Sequence, residues 1–238
     1  MPAGRVGRPA RVTVAVGKPA LAFLAAALAL SAALSSCGLE TVQTYDAPSF
    51  TYEGGLLKLT HDADNGSADY FLGYEIYYRA YSSETAMQTD REAIEDLADN
   101  DDSTPETCVD KLESLDFQRI KNEYGKDDRP LFTYGSDNTF YIQLSASSDW
   151  PYYRSADAPV TGQIVTRSIS TSSKPVSFIS QYSSLSDDDY EGSTTTTGVT
   201  VYFAFFAVAY GFDITTISNI YSLPRSTYTD ISFNIQFE

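Results

Sequence analysis

The chain has 238 residues, with 16 Lys and Arg against 32 Asp and Glu, a formal net charge of −16 and one histidine. So acidic a surface is repelled by nucleic acid, which sets nucleic-acid partners aside. With 18 Tyr, 13 Phe and only two Cys, the chain must be stabilised by packing.

The first 36 residues read as an address. Arg5, Arg8, Arg11 and Lys18 precede the apolar run Leu21–Ala33, and small residues follow. This is the layout of a secretory signal. The run is shorter than the roughly 20 residues that a membrane-spanning helix needs. Leu34-Ser35-Ser36-Cys37 resembles the lipobox of bacterial lipoproteins. That resemblance implies a lipid-bearing Cys37, cut from Ser36, anchoring the chain to the bilayer of the cell envelope. Gly38 follows where some bacteria place the Asp that retains a lipoprotein at the inner membrane, which points to the outer membrane. Four of the 16 basic residues and no acidic one precede Cys37, so the 202 residues from Cys37 onward carry −20. Cys37 taken by lipid leaves Cys108 without a disulfide partner.

Residues 37–48 read as a tether, and a domain is expected over 49–238. Leu57, Leu59 and His61 alternate with polar residues, and Asp62–Asp69 is a turn-forming cluster. Leu72, Tyr74, Ile76 and Tyr78 alternate with Gly73, Glu75, Tyr77 and Arg79, the period of a half-buried strand. Residues 82–130 break this pattern as a helical insertion. One capped helix is expected after Thr89-Asp90, and a second at Thr104-Pro105-Glu106, separated by Asn100-Asp101-Asp102. Gly125 is a candidate stop. Leu131–Tyr134 and Phe140–Ser145 flank Gly135-Ser136-Asp137-Asn138 as a hairpin. Strands over 160–169 and 176–179 follow. Val199–Tyr210 is apolar at successive positions, the mark of a strand covered on both faces. Ile231, Phe233, Ile235 and Phe237 alternate again. Residues 145–159 and 183–198 read as loops. The sum is a mainly β chain: an antiparallel β-sandwich with a two-helix insertion.

Two stretches resemble a fibronectin type III domain. Residues 57–79, ending in Gly73-Tyr74-Glu75-Ile76-Tyr77-Tyr78-Arg79, resemble its B strand, BC loop and C strand. Residues 201–224, with alternating Val201, Phe203, Phe205 and Ala207, then Gly211, Ser218-Asn219 and Pro224, resemble its F and G strands. The resemblance implies an elaborated immunoglobulin-like sandwich, a scaffold that mostly binds, spaces or displays.

Candidate chemistry is sparse. His61 as a base or metal ligand competes with His61 as a packed side chain. Asp62-Ala63-Asp64-Asn65-Gly66 opens like a calcium loop, but Gly66 stands fifth instead of sixth and no Glu closes the loop at position twelve. Asp187-Asp188-Asp189 reads as a solvated acidic turn. Cys108, on the apolar face of the second helix, reads as inert core. No Gly-x-Ser-x-Gly elbow and no cofactor motif is found. Trp150, Tyr152, Tyr153 and Arg154 form an aromatic and basic cluster expected in a loop, a candidate ligand platform. The expected function is a non-catalytic, lipid-anchored envelope protein with a protein or glycan partner. The alternative is a carboxylate-dependent envelope hydrolase or carbohydrate-binding protein.

Overall fold

A computed structural model describes residues 44–122, 129–133, 139–144, 152–155, 163–169, 178–179, 182–183, 185, 187–192 and 199–235, with 122, 152–155 and 163–166 as backbone alone. The described chain is mainly β, with two helices. Its strands are β1 (Ser49–Glu53), β2 (Leu56–Thr60), β3 (Phe71–Tyr81), β4 (Gln118–Arg119), β5 (Lys121–Asn122), β6 (Phe132–Thr133), β7 (Thr139–Gln143), β8 (Tyr152–Ser155), β9 (Gln163–Thr166), β10 (Tyr190–Glu191), β11 (Val199–Asp213), β12 (Ser218–Tyr221), β13 (Arg225–Ser226) and β14 (Ile231–Ile235). The helices are α1 (Glu84–Ala98) and α2 (Pro105–Ser114). Neither is long and apolar enough to cross a membrane.

Two sheets form. The first runs β1-β2-β7-β8-β9-β5. Its opening hairpin turns on Gly54 and Gly55, at φ 59° and 82°, as a two-residue loop with both residues at positive φ requires. The second is built on the long antiparallel pair β3 and β11. One edge of β3 is covered piecewise by β6, β4 and a short parallel β10. The far edge of β11 is covered by β12, β13 and β14 in turn, one return strand broken twice.

Alternation along β3 and β11 divides their side chains between two apolar clusters. Tyr74, Ile76, Tyr78, Val201, Phe203 and Phe205 join Leu57, Leu59 and Ile142 of the first sheet. Tyr77, Tyr81, Ala204, Phe206 and Val208 meet Met87 and Ile94 of α1 and Val109 and Leu112 of α2. The helices therefore cover the outer face of the second sheet. The expectation of a doubly covered β11 holds, and β3 is doubly covered as well, although its polar residues suggested one wet face.

The helix starts follow local chemistry. Thr104 accepts from the Thr107 N–H with Pro105 next to it, as its sequence indicates. α1 starts earlier than Thr89-Asp90: Ser83 is the cap, accepting from the Ala86 N–H, and Glu84 sits in the first turn. Asp90 instead accepts from Arg79 at 2.8 Å and from the Tyr81 hydroxyl at 3.0 Å, tying α1 to β3.

Other expectations change. Residues 131–145 do not form a hairpin, because β6 pairs with β3 in the second sheet while β7 pairs with β2 and β8 in the first. Their aromatic side chains meet across the core instead, with Phe132 and Phe140 stacked at 4.7 Å. Phe178 and Ile179 lie in a turn, not a strand. Tyr45 and Pro48, within the stretch read as a tether, are buried against the domain. Gly125 and Phe237 lie outside the described residues.

Adjacent residues Phe205 and Phe206 are buried on opposite faces of β11. Phe205→Ala and Phe206→Ala are each expected to cost about 3–5 kcal/mol in urea unfolding. A strand covered on one face alone would give one large value and one within about 0.5 kcal/mol of wild type.

Candidate functional site

Burying both faces of β3 and β11 encloses charged groups, and each is matched. On the helix side Glu75, 1% exposed, accepts from Arg129 through Nε at 2.5 Å and Nη2 at 2.7 Å. The Tyr77 hydroxyl also donates to it, at 3.3 Å, and Arg119 approaches at 3.4 Å. The Arg129 guanidinium lies 4.7 Å from the Tyr210 ring centre and donates to the Tyr221 hydroxyl at 3.1 Å. Burial alone would lower the Arg129 pKa, but hydrogen bonding and attraction from Glu75 raise it. This ion pair is structural by its geometry.

On the other face, between the sheets, Arg167 donates to Asp189 through Nε at 2.8 Å and Nη2 at 2.5 Å, and to Asp187 at 3.0 Å. Its guanidinium lies 3.5 Å from the Tyr182 ring centre. Tyr78 donates its hydroxyl to Asp189 at 2.5 Å and accepts from the Ser168 N–H at 2.7 Å. Asp189 is 0% exposed, so the solvated acidic turn expected at Asp187–Asp189 is half wrong: Asp188 is exposed, but Asp189 is core. Strand β10 draws it in, because the Asp189 carbonyl accepts from the Ala80 N–H at 2.9 Å.

His61 lies just past β2, half-buried. Its Nδ1 is 2.5 Å from the Tyr74 hydroxyl and its ring stacks on Phe71 at 5.7 Å. Burial lowers its pKa against the opposing pull of Asp62. Carboxylate oxygens of Asp46, Asp62 and Asp64 lie within 4.8 Å of one another. That turn has another use: the buried Asn65 amide accepts from the Asp46 N–H at 2.8 Å and donates to the Asp46 carbonyl at 2.6 Å. It clamps the incoming chain. Cys108 is 0% exposed, and burial followed by the charge of Glu106 raises its pKa. That fits an inert thiol.

Tyr152, Tyr153 and Arg154 are in strand β8, not a loop, with Tyr153 opposite Ile142 and Arg154 opposite Tyr141. Trp150 and Cys37 lie outside the described residues, as do the side chains of Tyr152, Tyr153 and Arg154.

A cleft of about 240 Å³ is built from three distant segments. The incoming chain supplies Tyr45, Asp46 and Ala47. The end of α1 supplies Glu95, Ala98 and Asp99. The segment between β12 and β14 supplies Leu223, Arg225, Ser226 and Tyr228. Glu95 and Asp99 are four apart and share a helix face. They sit where the helix dipole is negative, and no basic residue occupies that last turn. Ser226 donates to Glu95 at 2.5 Å, which fixes the wall. Arg91 and Gln88 of α1 hold Asp230 at 2.6 and 3.0 Å, bracing the same wall. Tyr228 stands 62% exposed at the rim, and its hydroxyl accepts from Arg225 at 2.6 Å. No local motif in the sequence announces this cleft. The only trace is Glu95 and Asp99 at the end of a helix without a basic last turn.

No protein-family model, no curated protein and no solved structure matches the chain.

Arg167→Met is expected to cost about 3–5 kcal/mol in urea unfolding, because it strands Asp189. Adding Asp189→Leu should restore much of that loss; a double variant as unstable as the single one would refute a charge-compensation role. The depressed His61 pKa makes a stability contribution that is complete above the unfolded value near 6.5 and is lost as pH falls through the folded value. The stability drop from about pH 8 to about pH 5 should therefore be shallower in His61→Gln.

Proposed function

We propose that this chain is a non-catalytic, lipid-anchored protein of the bacterial cell envelope that holds a basic group of a protein partner in the acidic cleft. The cleft carries the binding part of this reading. Three carboxylates and a negative helix end line one side-chain-sized space against a single cation there, Arg225. Pockets that take whole small molecules measure about 300–1,000 Å³, so about 240 Å³ suits an amine or guanidinium on a larger partner better than a glycan or cofactor. The −20 charge beyond the leader would steer a basic partner toward it. The anchoring part rests on the basic stretch, the apolar run and Leu34-Ser35-Ser36-Cys37, with the outer membrane as destination where two membranes exist.

Two features support a non-catalytic reading. The buried Glu75 and Asp189 are engaged by arginines, and the His61 ring by Tyr74 and Phe71. An elaborated fibronectin type III-like sandwich is the matching scaffold. In its favour, the stretch likened to the B strand lies in the first sheet, and those likened to the C, F and G strands are neighbours in the second. Immunoglobulin-like sandwiches divide their strands in this way.

Two measurements test the proposal on the full-length chain. Cys37→Ser should release it from the membrane fraction, and unchanged fractionation would remove the anchor. Asp46→Asn combined with Asp99→Asn leaves the Glu95–Ser226 bond intact and should weaken binding of a tetralysine peptide about tenfold at about 0.1 M salt. Equal binding by wild type and variant would remove the cleft.

A further inference from the structure

The end of the molecule where the chain enters also carries a group of exposed apolar side chains. Ile214 and Ile217, in the turn between β11 and β12, are 73% and 79% exposed. Tyr70 and Leu72, at the start of β3, are 40% and 39% exposed. The two segments touch: the Phe212 N–H donates to the Tyr70 carbonyl at 3.2 Å, and the Tyr70 hydroxyl lies 3.3 Å from the Thr215 hydroxyl. Four apolar or aromatic side chains thus share one tip.

The tip is ordered by polar bonds of its own. The Asp213 carboxylate accepts from the Thr215 N–H at 2.6 Å and from the Thr216 hydroxyl at 2.8 Å. Ile217 has φ 56° and Tyr70 has φ 63°. A hairpin position at positive φ is met with least strain by Gly or Asn, and a β-branched residue there is a true outlier. Ile217 therefore suits neither the backbone of the turn nor solvent. At 79% exposure its side chain gains little packing from the described residues to offset this strain. An apolar surface outside the chain would give it a purpose.

The incoming chain indicates which surface. Tyr45 is packed at this end: its hydroxyl donates to the Asp69 carbonyl at 3.0 Å and its ring meets Phe71 at 5.4 Å. Seven residues lie between it and Cys37, eight Cα–Cα steps with a reach of at most about 29 Å. We infer that the tip formed by Tyr70, Leu72, Ile214 and Ile217 rests in the interfacial layer of the bilayer to which Cys37 is anchored. This rests on the lipid-anchor reading. Apolar side chains enter the acyl boundary, and a tyrosine suits headgroup depth. Asp69 and Asp213 flank the tip, so a zwitterionic surface fits it better than an anionic one.

The test uses the full-length chain, expressed with its own leader and reconstituted into phosphatidylcholine vesicles containing brominated acyl chains. Cys108 is fully buried, so a cysteine introduced at an exposed site can be labelled selectively. An environment-sensitive fluorophore is placed at Ile214→Cys, Ile217→Cys or, as a control, Leu185→Cys. Leu185 is 86% exposed and lies toward the opposite end of β3, beside the segment that pairs with Ala80 and Tyr81. Labels at 214 and 217 should be blue-shifted and quenched at least twofold more by brominated lipid than the label at 185. Quenching should weaken when anionic phosphatidylglycerol is added. Ile217→Asn suits the turn backbone and should fold at least as stably as wild type, yet reduce quenching of a label at 214.

Vesicle-bound protein with equal quenching at 214, 217 and 185 overturns the tip and leaves the anchor standing. A blue shift without quenching assigns the tip to a protein surface and also overturns the proposal. If Cys37→Ser fractionates like wild type while brominated lipid still quenches 217, the anchor falls and the tip stands.

Discussion

The structure depends on one ladder, the antiparallel pairing of β3 with β11, buried on both faces. A strand in that position has no wet side on which to leave a charge. Glu75 and Asp189 are nonetheless there, one on each side of the second sheet. An isolated buried carboxylate would cost several kcal/mol or more, so each brings an arginine into the interior with it. Arg129 and Arg167 then fix segments outside the ladder to opposite faces of it. Such pairs contribute little net stability compared with apolar side chains of similar volume. Their effect is on register, because a guanidinium fork satisfies a carboxylate in one geometry only. The tyrosines serve the same end. Tyr78 holds Asp189 and Ser168 together, and burial pushes its own pKa up, followed by the charge of Asp189. The phenol thereby stays a donor.

How much of this could be read from sequence depended on whether the signal was local. The all-apolar run of β11 was legible because two buried faces leave no polar alternation to hide them. The Thr104-Pro105 cap was legible because every partner lies within one turn. β3 was misjudged because Glu75 and Arg79 look like solvent-facing residues, and their partners Arg129 and Asp90 are far away in sequence or on another element. The supposed hairpin over 131–145 failed for the same reason. A turn-rich tetrapeptide marks a reversal or crossing of the chain, but it does not say which strand each arm will pair with. Here the arms separate, and the hydrophobic pattern of each is used in a different sheet. Asp90 shows the reverse error: Thr89-Asp90 reads as a helix start, but both residues lie inside α1, where the Asp90 carboxylate takes Arg79 and Tyr81 instead of a cap position.

The cleft was invisible for a stronger reason. Its walls come from three segments, and none carries a motif. What the sequence did hold was the Asp62–Asp69 cluster, taken as solvent-facing turn. Its buried Asn65 clamps the backbone of Asp46 from both sides, so a turn that looks generic determines where the incoming chain lies.

That clamp connects the incoming chain to the cleft. Gly211 lets Tyr45 lie against β11, since a Cβ there would fall 2.1 Å from the Tyr45 hydroxyl. A parallel bridge joins Tyr45 to Ser222, one residue before the cleft wall at Leu223. The Tyr45 phenol is pushed up to about 12, first by burial and then by Asp213 and Asp69, so it remains a protonated donor to the Asp69 carbonyl through the physiological range. Asp46 and Ala47, the next residues, already line the cleft. The seat of the incoming chain and the cleft wall are therefore one unit, and a change that loosens Tyr45 or the Asn65 clamp also displaces Asp46 and Ala47.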